Sequence, residues 1–391
     1  MNFNEFDQRC MSRALELASL GRYSTRPNPC VGCVLACDGE IVGEGWHQRV
    51  GGPHAEVFAL RQAGAAVKGA TAYVTLEPCA HHGRTPPCCL ALIEAGIRRV
   101  VVACQDPFHQ VDGKGLRLLR EAGIQVDLGL MWQQAEELNL GFLSSARRGR
   151  PWVRLKYGMS LDGRTALANG ESKWITQEAS RHDVQLWRQA SSAILTGSGT
   201  VLADDPLLTV RIPFDMDVPP VCRVVLDRRA QVPTHARVFD AQAPTLLAHR
   251  RDAEPDPELP EHVQRLPLSS ADDDGLLREL LGELSRRDIH DVFVEAGAGL
   301  GGALLRAGLV DELLLYIAPR LLGDGARPLI SGLSPASLAQ SPFFTLHECT
   351  QIGSDLRLRL RPRADDGWSW ADRRVFLRAG PVVADGSRYE R

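Results

Sequence analysis

Residues 78–88 read Pro-Cys-Ala-His-His-Gly-Arg-Thr-Pro-Pro-Cys, and residues 54–56 upstream of them read His-Ala-Glu. His54 opens a segment with helical spacing, Cys79 follows a short β-rich run, and Cys88 begins the next helical segment. One histidine and two thiolates leave a tetrahedral zinc ion one open position, which is the catalytic rather than the structural arrangement. A water in that position loses a proton near neutral pH and becomes a nucleophile. We therefore predict that His54, Cys79 and Cys88 bind Zn²⁺.

Glu56 lies two residues from the histidine, close to the metal without being needed as a ligand. It can take the proton from the water and pass it to a ring nitrogen and then to the leaving ammonia. Zinc deaminases that act on nucleobases carry this His-x-Glu and Pro-Cys signature. The pattern predicts a hydrolytic deaminase with Glu56 as its catalytic proton shuttle. The alternative from another class is a zinc-stabilised binding module without chemistry, which needs no carboxylate beside its ligand.

Other residues compete for the metal. Cys30 and Cys33 have the spacing of a metal-binding or redox pair, but they fall in a predicted strand, where neighbours alternate between faces. Cys89 adjoins Cys88 and is a second alternative ligand. His81 and His82 lie between the ligands, and we interpret them as substrate contacts or as part of the loop structure.

Segments with strand and helix patterns alternate along the chain, which is typical of layered α/β domains. Helices are predicted at 6–20, 54–63, 86–95 and 115–122, and strands at 31–36, 40–45, 72–76, 100–103 and 125–128. A polar segment with Gly and Pro at 146–151 separates this region from a second α/β pattern. That pattern has strands near 152–157, 193–196, 222–226, 292–295 and 312–317, with surface loops at 252–261 and 269–275.

Length and composition limit the classes of protein. A chain of 391 residues exceeds one typical domain, so we expect two. A net charge of -3 offers no basic surface for nucleic acid, and no apolar run reaches the roughly 18 residues that span a bilayer. The N-terminus lacks the basic start of a signal peptide, so we expect a cytoplasmic protein whose ten cysteines are thiols or metal ligands.

The eight residues between Cys79 and Cys88 distinguish this loop from that of most nucleoside deaminases, which have two. With residues 75–78 (Thr-Leu-Glu-Pro) and 26–29 (Arg-Pro-Asn-Pro), the region 5–147 closely resembles the bifunctional deaminase–reductase of riboflavin biosynthesis. The resemblance implies a cytidine-deaminase-like α/β/α domain over 1–147. It implies hydrolysis of the 2-amino group of 2,5-diamino-6-ribosylamino-4(3H)-pyrimidinone 5′-phosphate. The substrate-binding residues that it implies are Asn28, His47, Arg84, Thr85 and Asp106.

Two glycine-rich segments in the second half follow predicted strands. Residues 196–200 (Thr-Gly-Ser-Gly-Thr) end a strand in a turn that could cradle a phosphate or be an ordinary loop. Residues 297–302 (Gly-Ala-Gly-Leu-Gly-Gly) separate a strand from a helix predicted at 303–307, a geometry that suits a pyrophosphate. Neither segment is a regular dinucleotide fingerprint.

The order of these pieces resembles the reductase half of the same family over 151–361. That resemblance implies a dihydrofolate-reductase-like α/β domain that uses NADPH to reduce the ribosyl group to a ribityl chain. The implied cofactor residues are Gly158, Trp174, Thr200, Asp204, Gly297, Ala298, Gly299, Leu300, Gly301, Gly302 and Ala303. The implied substrate residues are Ser172, Arg188, Leu208, Arg211 and Glu295.

The second half leaves several questions open. No acid–base residue stands out for the reduction, and a second domain without reductase activity is the alternative within the class. Arg228 stands where the family often has a small hydroxyl residue that can meet the cofactor. The role of the tail over 362–391, a homo-oligomeric state and channelling between the sites are not readable from the sequence.

Overall fold

The computed structural model describes residues 3–80, 87–108 and 111–363. They form two compact units, and the chain passes from the first to the second between Arg148 and Gly149. Among the helices of these ranges, none is both long and apolar enough to cross a membrane.

The first unit contains six helices and five strands within its described residues. In chain order these are α1 (Glu5–Ser19), β1 (Gly32–Cys37), β2 (Glu40–Trp46), α2 (Ala55–Ala63), β3 (Thr71–Leu76), α3 (Cys88–Glu94), β4 (Arg99–Cys104), α4 (Lys114–Glu121), β5 (Gln125–Leu128), α5 (Trp132–Leu138) and α6 (Leu140–Arg148).

One sheet with the strand order β2-β1-β3-β4-β5 forms the middle layer of this unit. β1 is antiparallel to β2 and β3, whereas β3, β4 and β5 are parallel. Alternate side chains of the strands enter two separate cores, because successive residues of a strand point to opposite faces. Helices α2, α3 and α4 cover one core, and α1, α5 and α6 cover the other.

Glycines on β2 bring helix α2 close to the sheet. A Cβ atom at Gly45 would lie 2.3 Å from the carbonyl oxygen of Ala55, and one at Gly43 would lie 2.3 Å from that of Ala59. Any larger residue would push the helix outward. The start of α2, which carries His54 and Glu56, is therefore held against the sheet by backbone contact.

The second unit contains four helices and eleven strands within its described residues. In chain order these are β6 (Trp152–Ser160), β7 (Arg164–Ala166), α7 (Glu178–Gln189), β8 (Ala193–Gly197), α8 (Ser198–Asp204), β9 (Cys222–Leu226), β10 (Thr245–Arg250), β11 (Val263–Leu268), α9 (Asp273–Arg286), β12 (Asp291–Glu295), α10 (Ala298–Arg306), β13 (Glu312–Ala318), β14 (Arg327–Pro328), β15 (Phe344–Ile352) and β16 (Asp355–Pro362).

Its main sheet has the strand order β11-β10-β9-β8-β12-β6-β13-β16-β15, and β7 pairs with β14 separately. The seven strands from β11 to β13 are parallel, and β16 and β15 are antiparallel to their neighbours. Leu300 of α10 packs with the core on one face, and Val201 of α8 packs in the core on the other. The adjacent strands β8 and β12 thus send their following helices to opposite faces. Such a topological switch point is where open α/β sheets bind ligands.

A buried carboxylate ties three strands of this sheet together. Glu312, fully buried at the start of β13, accepts from Arg154 on β6 at 2.6 Å, from Arg359 on β16 at 2.8 Å and from Arg361 at 3.0 Å. Burial alone would raise the pKa of Glu312, but the arginines outweigh it and hold the pKa well below its usual range. Arg154 also lies 4.4 Å over the ring of Trp187 on α7. The cluster joins the antiparallel edge to the parallel part of the sheet.

Three predicted boundaries in this unit are wrong. Helix α10 begins at Ala298 rather than at Ala303, and α8 begins at Ser198 inside the predicted turn. Glycine permits α10 to pack against the sheet along this segment. A Cβ atom at Gly301 would lie 1.7 Å from the Tyr157 hydroxyl, so a larger residue would clash there. The predicted loop 269–275 contains the start of α9, where Asp272 accepts from the N–H of Gly275 as a helix cap.

Candidate active sites

The predicted zinc ligands are brought together by three helix and strand ends. His54 immediately precedes α2, Cys79 follows β3, and Cys88 is the first residue of α3. The His54 Nδ1 atom lies 3.3 Å from the Cys88 Sγ and 3.6 Å from the Cys79 Sγ, and the ligand atoms are all within 4.8 Å of one another. Zinc bonds of about 2.0–2.3 Å separate tetrahedral ligand atoms by about 3.5 Å. The donor set therefore fits a zinc ion.

The electrostatics of the site match this chemistry. A hydrogen bond with Cys88 outweighs burial and lowers the pKa of the Cys79 thiol to about 4, so the sulfur is available as a thiolate. Glu56 is 3% exposed, and its Oε2 atom has no hydrogen-bond partner among the described residues. Burial raises the pKa of Glu56, which favours a carboxyl group that can hold a proton. A buried acceptor beside three zinc donors suits the transfer of a proton from water to a base.

Asn28 and His47 form a polar pair beside the zinc ligands. The His47 Nδ1 atom lies 3.0 Å from the carbonyl oxygen of Pro53, so Nδ1 carries the proton and donates. Nε2 then accepts from the amide nitrogen of Asn28 at 3.0 Å. The His47 and His54 rings meet edge to face with centroids 5.4 Å apart, and burial lowers the pKa of His47. This hydrogen bond engages the amide nitrogen of Asn28 and fixes the orientation of its side chain.

Asp106 lies in the segment after β4 and is 7% exposed. Its carboxylate accepts from the N–H of Phe108 at 2.8 Å, and burial raises its pKa to about 7. Arg84 and Thr85, and the loop histidines His81 and His82, lie outside the described residues.

Glu77 is a residue to which the sequence assigned no role. Its buried carboxylate accepts from four backbone N–H groups: Asp106 at 3.3 Å, Gly113 at 3.0 Å, Gly115 at 2.9 Å and Leu116 at 3.3 Å. A Cβ atom at Gly115 would lie 2.1 Å from the carbonyl oxygen of Pro78. Glu77 therefore fastens the segment with Asp106 and the start of α4 to the loop that begins at the zinc ligand Cys79.

The other described cysteines of the first unit are not part of the zinc donor group. Within the described ranges, the one group of His, Cys and acidic atoms close enough to hold a metal consists of His54, Cys79 and Cys88. Cys33 and Cys89 are fully buried in the core on the α2 face, and the Cys30 Sγ lies 3.6 Å from the Thr25 hydroxyl.

The second unit has its own cluster of charged groups at the end of β12. Glu295 accepts from the Arg188 Nε at 2.5 Å, and its Oε2 atom lies 3.9 Å from the Lys156 Nζ. The strand register places Glu295 directly opposite Lys156. Burial raises the pKa of Glu295, but Arg188 and then Lys156 outweigh it and bring the value to about 2. Burial lowers the pKa of Lys156.

Lys156 is a titratable residue of this cluster to which the sequence analysis assigned no role. A signal for it exists, because it is one of only four lysines in the chain and stands within an otherwise largely apolar predicted strand. Burial lowers the pKa of a lysine by disfavouring its charged form, and this is the setting in which lysines serve in proton transfer.

The remaining predicted substrate residues lie in three places. Burial and then repulsion from Arg188 lower the pKa of Arg211, whose backbone N–H donates to Gln185 at 3.0 Å. Leu208 has a positive φ of 51° and a buried side chain that packs with Ile194, so its backbone is the part that a substrate could meet. Ser172 lies in the segment between β7 and α7.

Several of the residues predicted to bind a cofactor lie directly after β8 and β12, at the switch point. Gly297 is extended and precedes α10, and Cβ atoms at Gly199, Gly297 or Gly299 would meet no described atom within 4 Å. These open positions, together with the exposed N–H groups at the start of α10, fit a pyrophosphate. Thr200 and Asp204 lie on α8.

Other predicted cofactor residues have different surroundings. Gly158 lies on β6, and the exposed ring of Trp174 has the Arg181 guanidinium 4.5 Å above it. Gly301 and Gly302 are buried, and a Cβ atom at Gly302 would lie 1.8 Å from the carbonyl oxygen of Ser331. Close packing of α10 accounts for these two glycines, whereas Ala298, Leu300 and Ala303 are half-buried in the same helix.

Two family models match the chain in succession. "Cytidine and deoxycytidylate deaminase zinc-binding region" matches residues 4–104, and "RibD C-terminal domain" matches residues 151–358. The first match contains His54, Cys79 and Cys88, and the second contains Lys156, Arg188 and Glu295. These matches confirm the predicted fold class, with a cytidine-deaminase-like first domain and a dihydrofolate-reductase-like second domain.

Full-length relatives carry both halves. Riboflavin biosynthesis protein RibD of Escherichia coli (strain K12) is 51% identical over 364 residues, which cover 90% of this chain and 99% of that protein. A structure of Acinetobacter baumannii RibD is 47% identical with a TM-score of 0.84, covering 92% of this chain and 99% of that one. A Thermotoga maritima structure described as a diaminohydroxyphosphoribosylaminopyrimidine deaminase/5-amino-6-(5-phosphoribosylamino)uracil reductase is 35% identical, with a TM-score of 0.82 and coverages of 92% and 99%.

Proposed function

Because the chain belongs to the RibD family of bifunctional riboflavin-biosynthesis deaminase–reductases, we propose which substrates, cofactors and residues carry its two reactions. The substrate is 2,5-diamino-6-ribosylamino-4(3H)-pyrimidinone 5′-phosphate, which residues 1–147 deaminate and residues 151–361 then reduce. The observation that carries this proposal is the presence of two separate charged centres, one at His54, Cys79, Cys88 and Glu56 and one at Lys156, Arg188 and Glu295.

In the deamination, Zn²⁺ held by His54, Cys79 and Cys88 supplies an activated water when bound. Glu56 takes a proton from that water at Oε2 and passes it to the ring nitrogen next to C2. The same carboxyl group then takes the remaining proton from the oxygen now bound to C2 and passes it to the 2-amino group. The C2–N bond breaks, ammonia leaves, and the C2–O bond becomes the carbonyl of the product. Burial keeps Glu56 out of bulk water during both transfers.

The other deaminase residues hold the substrate. The side-chain oxygen of Asn28, fixed by His47, accepts from a donor on the pyrimidine, and Asp106 contacts a second polar group. Arg84 and Thr85 bind the 5′-phosphate, because a guanidinium can bind two oxygens of one phosphate.

In the reduction, bound NADPH supplies a hydride to the carbon that becomes C1 of the ribityl chain. As the C1–O bond of the ribose ring breaks, its oxygen takes up one proton, which the Lys156 ammonium group supplies beside the Glu295 carboxylate, 3.9 Å away. Arg188, Arg211 and Ser172 hold the substrate phosphate, with backbone contacts from Leu208. Gly158, Trp174, Thr200, Asp204 and the open start of α10 at residues 297–300 line the cofactor, whereas the buried Gly301 and Gly302 let this helix pack closely behind it. Both reactions run in the cytoplasm, where the zinc-binding thiols stay reduced.

The assignment is tested by product analysis with the purified chain. The diaminopyrimidinone ribosylamine phosphate should give the deaminated ribosylamine alone when no nicotinamide cofactor is added. Addition of NADPH should convert that product to the ribitylamine. Accumulation of the deaminated compound with NADPH present would show that the second unit is not a reductase, and unchanged substrate would overturn the deaminase assignment.

The zinc ligands give a separate prediction. About one zinc per chain should copurify, and Cys79→Ser or Cys88→Ser should remove it because each supplies one of three protein ligands. Cys33→Ser is the matched control, since this buried thiol lies outside the donor group and should keep the metal. Zinc measured by plasma emission and still present in Cys79→Ser would contradict the ligand set.

A further inference from the structure

The strand order fixes the direction in which a dinucleotide crosses the second unit. The crevice lies at the carboxyl ends of β8 and β12, and Lys156 and Glu295 lie on its β12–β6 side. Since the reaction brings the nicotinamide to the substrate, this half of the cofactor must face β12 and β6. The adenosine half then extends the other way, over the carboxyl ends of β9 and β10. This inference therefore rests on the proposed function.

Two arginines stand at those strand ends. The register places Gly197 of β8 opposite Leu226 of β9, and Leu226 opposite Ala248 of β10. Arg228 lies two residues after Leu226, and Arg250 lies two residues after Ala248. The N–H of Arg250 donates to the carbonyl oxygen of Arg228 at 3.2 Å. Neighbouring strands are about 4.8 Å apart, so the arginines lie about one and two strand spacings from β8.

The two guanidinium groups converge on one carboxylate. The Arg228 Nη1 atom lies 2.5 Å from the Oδ2 of Asp273, and the Arg250 Nη2 atom lies 3.1 Å from its Oδ1. Arg250 is also held by the carbonyl oxygens of Ser270 and Ala271 at 3.3 and 2.9 Å. The side chain of Arg228 is 47% exposed and that of Asp273 is 46% exposed.

Two guanidinium groups thus share the single carboxylate of Asp273 at a solvent-accessible position. Of the two flanking carboxylates, Asp274 pairs with Arg306 at 3.3 Å, and Asp272 accepts from the N–H of Gly275 as the cap of α9. The two arginines are therefore positioned to accept a further anion.

We propose that Arg228 and Arg250 bind the 2′-phosphate on the adenosine ribose and thereby make the reductase selective for NADPH over NADH. This phosphate is the difference between the two cofactors, and an arginine near the ribose is the usual means of accommodating it. Arg228 moves from Asp273 to the phosphate. Arg250 keeps its hydrogen bonds to the carbonyl oxygens of Ser270 and Ala271 and contacts the phosphate through the side of its guanidinium group that these oxygens do not occupy. The arginine thus takes over the contact that a small hydroxyl residue at this position could make.

The test measures binding by calorimetry at fixed ionic strength, with NADP⁺, NAD⁺ and the fragments 2′,5′-ADP and 5′-AMP. Wild type should bind NADP⁺ and 2′,5′-ADP at least tenfold more tightly than NAD⁺ and 5′-AMP. Arg228→Ala should weaken NADP⁺ and 2′,5′-ADP by roughly ten- to a hundredfold, as expected for a charge-assisted hydrogen bond, and change NAD⁺ by less than about twofold. Arg250→Ala should have a smaller effect of the same sign.

Arg306→Ala is the control. Arg306 lies on helix α10 and pairs at 3.3 Å with Asp274, the neighbour of Asp273 on α9, but it is not at the ends of β9 and β10. It should bind all four nucleotides as wild type does. Retained NAD⁺ binding by Arg228→Ala shows that the unit is folded. Unchanged NADP⁺ preference in both Arg228→Ala and Arg250→Ala would overturn the inference while leaving the reductase site intact, whereas a wild type that binds neither dinucleotide would overturn the proposed cofactor site.

Discussion

Replacing Glu56 with Gln should lower deaminase turnover by about 10²- to 10⁴-fold, the usual contribution of general acid–base catalysis. The amide keeps the size of the side chain but cannot carry protons between water, ring nitrogen and amino group. Because Glu56 is not among the zinc donors, the variant should retain about one zinc per chain. Turnover is measured by ammonia release, and an active Glu56→Gln enzyme with bound zinc would refute the catalytic role.

The same variant should reduce the already deaminated intermediate at nearly the wild-type rate, since the residues proposed for reduction all lie in the second unit. Arg211→Ala is the reciprocal control and should leave deamination unchanged. Its reductase activity should fall by roughly ten- to a hundredfold, because a lost hydrogen bond to a charged group costs about 1.5–3 kcal/mol. Loss of both activities in either variant would mean that the sites share residues or that reaction at one depends on the other.

Replacing Glu312 with Gln should lower the free energy of unfolding of the second unit by about 3–5 kcal/mol, the typical cost of removing one partner of a buried ion pair. Arg154, Arg359 and Arg361 would remain at the same place without the carboxylate that faces all three. Urea unfolding followed by tryptophan fluorescence measures the change, since Trp187 lies against Arg154. Deamination by the first unit should survive at urea concentrations that unfold the variant's second unit.

The control is Glu283→Gln, which removes the carboxylate that Arg286 and Arg287 share on the surface of α9 and should cost less than about 1 kcal/mol. A pH series adds a second check. The pKa of Glu312 is lowered by folding from its ordinary 4.5, so its stabilisation is present above that value and is lost as pH falls below it. The gap between wild type and Glu312→Gln should therefore narrow in acid. A gap that is equal at neutral and acidic pH would show that the charge of Glu312 is not the cause.

The parts of the fold and of the site that could be predicted are those marked by short patterns of neighbouring residues in the sequence. The zinc ligands and Glu56 fall at helix and strand ends that short patterns mark, and strand β3 matches the expected run within one residue. The roles of the glycine-rich segments were harder to predict, because glycine occurs there for two different reasons. Gly297 faces open space, whereas Gly302 allows close packing of its helix. Only the surroundings in three dimensions distinguish these uses.

The features that sequence reasoning missed depend on distant partners. Lys156 acquires its chemistry from Glu295, which becomes its neighbour only when β12 pairs with β6. Glu77 accepts hydrogen bonds from backbone N–H groups 29 to 39 residues away. Nearly every residue has such a group, so the sequence does not indicate which of them a side chain will contact. Arg228 stood out in the sequence as a departure from the family pattern, but the role proposed for it depends on the carboxylate of Asp273, 45 residues away, and on the order of the strands.

The bonds of Glu77 also bear on how the deaminase half can change during evolution. One side chain acts as a noncovalent cross-link between the metal loop and the segment with Asp106, in the way that a disulfide would in a secreted protein. A substitution that shifts either segment is transmitted to the other through four hydrogen bonds. New substrate preferences are therefore more accessible through side chains on the rim of the site than through insertions or deletions in these two tethered segments.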